Sequence, residues 1–162
     1  MDPVHLHLML NHFPVIGMVL GFFLFLLAVR KRSGDLIKAS LGGFILLAVL
    51  AVPTYLSGVW AEEGVQRLGV TAPIIDQHED AAAVALVGVG ILGIMSLTGL
   101  MMFRKQGQFP AWFMILTLTL SLVTVGMMAY TGNLGGKVRH TELRNTGAQS
   151  AEAGHSEGHQ KD

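Results

Sequence analysis

The chain has 162 residues, 51% hydrophobic and 14% charged, where a soluble domain carries about 25% charged residues. Eleven basic and eleven acidic residues cancel, so the charge balance gives no reason to expect a nucleic-acid partner. No cysteine is present, which excludes disulfides, iron–sulfur clusters, thiolate zinc sites and covalent c-type haem attachment.

The apolar residues fall into long blocks between short charged segments, the pattern of a chain whose solvent is lipid. Asp2-Pro3 resembles a helix cap followed by a first helical proline. The first predicted span covers about residues 8–29 and stops at Arg30-Lys31-Arg32. With basic residues after it rather than before it, and no small-x-small cleavage pattern, it is expected to be retained rather than cleaved as a signal peptide. Pro14 and Pro53 each remove a backbone donor and are expected to kink their helices or free a carbonyl, that of Leu10 in the first case. The second span covers about residues 39–60. Thr71-Ala72-Pro73 predicts a helix start well ahead of the third span, at about 81–103, and the fourth covers about 109–130. None has Asp, Glu, Lys or Arg at its centre, so each satisfies its backbone internally as a helix. The expected fold is all-α, an integral membrane four-helix bundle over residues 1–146, followed by a disordered polar tail over 147–162.

Arg30, Lys31, Arg32 and Lys38 join spans one and two, and Arg104 and Lys105 join spans three and four. The basic residues at the other end, Arg67, Lys137, Arg139, Arg144 and Lys161, sit among acids. The positive-inside rule then predicts an N-out, C-out membrane protein with short extracytoplasmic helical extensions. Trp60 and Tyr130 fit the outer aromatic belt and Trp112 the inner one.

All seven histidines fall on the outer side: His5, His7, His12, His78, His140, His155 and His159. Rise per residue puts His12 just inside the outer boundary, His5 and His7 one to two turns beyond it, and His78 about a turn outside. His5 and His12 are seven residues apart and share a helix face, while His7 points elsewhere. Imidazoles on facing membrane helices are a common way to hold b-type haem, with basic side chains pairing the propionates. Arg67, Lys137, Arg139 and Arg144 are on the correct side for that role. Two other classes stand beside it. One is a non-haem copper, zinc or iron site of three or four imidazoles with Glu62, Glu63, Glu79 or Glu142. The other is an accessory or assembly subunit whose histidines only pack. No nucleophile elbow, phosphate loop or HExxH points to hydrolysis, and no mid-span ionisable residue marks an ion pathway.

His7-Leu8-Met9-Leu10-Asn11-His12-Phe13-Pro14 resembles the H-x-x-x-x-H-F-P opening of the DUF2231-like predicted bacterial membrane proteins. Gly135-Gly136-Lys137-Val138-Arg139-His140 resembles that family's glycine-rich stretch ending in a basic–His pair after the last span. The resemblance covers roughly residues 5–145, with Leu8 standing where the family often has proline. It implies a place in a redox module and favours His7, His12 and His140 as functional positions. Taken together, the expectation is a b-type cytochrome-like electron-transfer subunit rather than a complete enzyme. Its first axial pair would be His12 and His78, with His140 as a substitute or as a ligand of a second site. Its partners would be lipid, other subunits of a redox complex, and an extracytoplasmic cytochrome or a quinone.

Overall fold

A computed structural model describes residues 3–67, 70, 72–103, 105 and 108–139. The helices are α1 (Pro3–Leu10), α2 (His12–Lys31), α3 (Gly34–Arg67), α4 (Ala72–Phe103) and α5 (Ala111–Arg139). The described chain is all-α, and α1 and α2 together make one leg of a four-legged bundle. All four legs are long and apolar enough to cross a membrane. The predicted tail and His140 lie outside the described residues, as do His155, His159, Arg144 and the side chain of Arg139.

The legs run up, down, up, down. Each packs on its chain neighbour, and α2 also meets α5, so the circuit closes. At 34 residues α3 is about 51 Å long, against a hydrocarbon core of about 30 Å. The helices therefore project past the lipid-crossing stretch, as the Ala72-Pro73 start predicts.

The turn after α2 is built from local chemistry. Arg32 takes the left-handed conformation, with φ at 50°, a position glycine usually fills. Its N–H donates to Val29 O at 3.1 Å, and Ser33 N–H donates to Ala28 O at 3.1 Å, satisfying two carbonyls at the helix end. Ser33 Oγ then accepts from Leu36 N–H at 3.4 Å, which caps α3.

The opposite end holds a second irregularity. Pro14 has no N–H to offer Leu10, and the helix breaks between the two, at Asn11. Asn11 N–H still donates to His7 O at 2.9 Å, but Val15 N–H reaches Asn11 O only at 3.4 Å. Pro53 is exposed and does not interrupt α3.

Phe25, Phe44, Met18, Leu41, Leu92 and Val89 fill the interior. Near the connection between α4 and α5, the Phe113 ring lies over Gly99, where a Cβ would collide with it. Leu20, Phe23, Ile94 and Ile115 face outward, as a lipid-facing surface requires.

Candidate functional site

The end of the bundle away from the two short loops brings α1, α3, α4 and α5 together around two histidines. His7 and His78 are half-buried, and their ring centres lie 6.4 Å apart with the ring planes at 80°.

Each ring is tethered to a neighbouring helix. His7 Nδ1–H donates to Thr54 O at 3.1 Å and to Ser57 Oγ at 3.1 Å. Ser57 in turn donates its hydroxyl to Thr54 O at 2.7 Å. His78 Nδ1–H donates to Thr131 O at 3.1 Å. A carbonyl only accepts, so the hydrogen of each ring sits on Nδ1, and a neutral imidazole then carries its lone pair on Nε2. A second proton on both rings would set two like charges against each other in half-buried surroundings, an arrangement that burial penalises.

Glycines make room for both rings. A Cβ at Gly58 would stand 3.0 Å from His7 Cε1, and one at Gly135 would stand 3.1 Å from His78 Cε1. Two cavities border the pair. The first, of about 320 Å³, is otherwise largely apolar, with Val15, Ala85, Leu86 and Met128 in its wall. The second, of about 540 Å³, shares Tyr55 with the first and adds Glu62 and Glu79.

Of the residues singled out from sequence, it is His7, and not His12, whose ring faces His78. His12 lines the first cavity, but it is exposed and its Nδ1–H folds back onto Leu8 O at 2.8 Å. Arg67 is exposed, reaches Glu63 at 3.3 Å across one helical turn and lines neither cavity. His140 and the Arg139 side chain lie outside the described residues. Among the described residues no three His, Cys, Asp or Glu side chains come together as metal ligands. The described residues thus offer a two-imidazole arrangement, and Glu142 of the expected carboxylate-supported metal site lies outside them.

Sequence reading missed Thr54, Ser57, Gly58 and Thr131, and took Gly135 only as part of a glycine-rich stretch. Their signal was a repeated spacing: threonine then glycine four residues later, once after Pro53 and once after Tyr130. No family model, curated protein or solved structure matches the chain.

Proposed function

We propose that His7 and His78 hold a b-type haem between their Nε2 atoms, and that the chain is an electron-transfer subunit of a bacterial inner membrane. The observation that carries this reading is the tethered pair. Imidazoles that ligate a metal almost always donate their other N–H to a carbonyl or carboxylate, and both rings do so here. Two metal–nitrogen bonds of about 2 Å, with about 1 Å from each nitrogen to its ring centre, put axial imidazoles about 6 Å apart. The observed separation is 6.4 Å. Both adjoining cavities fall near or within the usual ligand-pocket range of about 300–1,000 Å³.

Haem in such a site supplies one-electron transfer. The protein's part is to hold both imidazoles neutral and oriented in an apolar pocket. Asn11, His12 and Tyr55 are among the polar groups that the first cavity offers to propionates, and Arg67, expected in that role, lines neither cavity. The basic short loops favour an N-out, C-out orientation. The pair would then exchange electrons with an extracytoplasmic cytochrome, with a quinone at the lipid edge, or with another subunit of a redox complex. The H-F-P opening, with its resemblance to DUF2231-like proteins, points the same way.

The test is a visible spectrum of the detergent-purified protein. Sharp reduced alpha and Soret bands at stoichiometric haem are expected; fully loaded protein without them overturns the reading. A second reading rests on Met128, whose thioether lines the same cavity as both imidazoles. Two imidazoles and a thioether suit copper(I). Stoichiometric copper without porphyrin in elemental analysis would establish it. If neither cofactor is found and His7→Ala and His78→Ala leave the parent complex working, the chain is an accessory subunit.

A further inference from the structure

We infer that the site is assembled from two copies of one His–Thr–Gly unit, in which Gly58 and Gly135 are positioning residues that seat the imidazoles. The consequences for a cofactor rest on the haem reading; the seats themselves do not.

The repeat shows first in spacing. His78 follows His7 by 71 residues, and Gly88 follows Gly17 by the same interval. Thr131 and Gly135 follow Thr54 and Gly58 by 77 residues. Burial obeys the same two intervals. The buried residues of α2, Pro14, Met18, Phe25 and Ala28, correspond to Ala85, Val89, Ser96 and Gly99 of α4, all buried. On α3, Ser40, Phe44, Leu47, Ala51, Thr54 and Ser57 are buried. Their six counterparts on α5, from Thr117 to Leu134, are buried too, while Ile37, Leu41 and Ala61, also buried, correspond to the half-buried Met114, Leu118 and Val138. Contacts repeat as well: Gly17 abuts Leu47, and Gly88 abuts Thr124, the counterpart of Leu47.

The chain is therefore two similar hairpins, α1–α2–α3 and α4–α5, each contributing one histidine. At the site itself the histidine, threonine and glycine stayed the same. Their neighbours diverged, with Tyr55 opposite Gly132 and Ser57 opposite Leu134.

The glycines explain how the unit works. A helix-interior glycine is less stable than alanine, so one kept in both copies has a reason. Here the reason is distance. Removing Cβ lets the imidazole lie against the helix and reach the carbonyl four residues earlier, which fixes Nδ1–H and leaves Nε2 facing away from that tether. Gly42, Gly90 and Gly126 have open space where a Cβ would go and serve no such role.

The test compares Gly58→Ala and Gly135→Ala with Gly126→Ala in the full chain. Alanine favours helix, so both seat variants should fold. Each should shift the haem bands and weaken cofactor retention by about 10- to 100-fold, the usual effect of disturbing a group that orients a ligand, while Gly126→Ala should match the parent. Haem-loaded seat variants indistinguishable from the parent would overturn the inference. Nitrogen-15 NMR of labelled histidine in apo protein decides the seats independently. The Nδ1–H signals of His7 and His78 should move in Gly58→Ala and Gly135→Ala respectively. Unmoved signals sink the seats; moved signals in a protein that takes up no haem sink only the haem reading. Finally, Gly58→Ala should perturb thermal stability differently in a His7→Ala background, because the ring it displaces is gone. Strict additivity would count against the seat.

Discussion

The rings of His7 and His78 lie 6.4 Å apart with planes near perpendicular, each tied through Nδ1 to a threonine carbonyl on the next leg of the bundle. Two rings so constrained leave few degrees of freedom for whatever joins them, and the expected behaviour of variants follows from which tether or ring is removed.

His7→Ala should abolish cofactor binding, whereas His12→Ala should leave most of it. His12 is exposed and bonded within its own helix turn, while His7 is one of the facing pair. Haem content per protein after purification reads the difference. Loss in His12→Ala with retention in His7→Ala would restore the His12–His78 pairing expected from sequence.

Ser57→Ala should weaken the site without destroying it. The hydroxyl is one of two acceptors for His7 Nδ1–H, and Thr54 O remains. The loss should be about 1 kcal/mol, roughly fivefold in cofactor affinity. Titration of apo protein with haem measures it, and an effect as large as that of His7→Ala would show that the hydroxyl, not the carbonyl, is the main tether.

Gly99→Val should destabilise the bundle by about 1–3 kcal/mol through overpacking against Phe113. Gly99 lies at the far end of the bundle from the histidines, so the haem bands should keep their positions. A thermal melt and a spectrum of the same sample test both halves of this expectation.

Topology is open to direct measurement because the chain has no cysteine of its own. A single cysteine at Glu63 should react with an impermeant maleimide added outside the cells. One at Ser33 should react only after the membrane is opened. The reverse pattern would invert the orientation and place the histidine pair on the cytoplasmic side.

The four legs were legible because lipid imposes a length of about 20 apolar residues, which soluble folds do not. The extension of α4 to Ala72 was legible from its proline. The choice of face was not. Around a membrane helix the outward residues are as apolar as the inward ones: Leu20 and Ile94 face out, Leu92 and Phe44 face in. No amphipathic stripe marks the buried side, so nothing in the pattern ranked His7 above His12. The glycine seats were visible as a spacing, but their meaning depends on which helix lies opposite, and that is set by packing.

Because His7 and His78 come from different halves of the chain, the pair cannot form when the first half alone has been made. The partner of His7 emerges 71 residues later, and the carbonyl and glycine that steady His78 arrive with the last helix. Assembly of the pair therefore waits on the second half of the chain: His7 has no partner until His78 is made, and His78 has no tether until α5 docks.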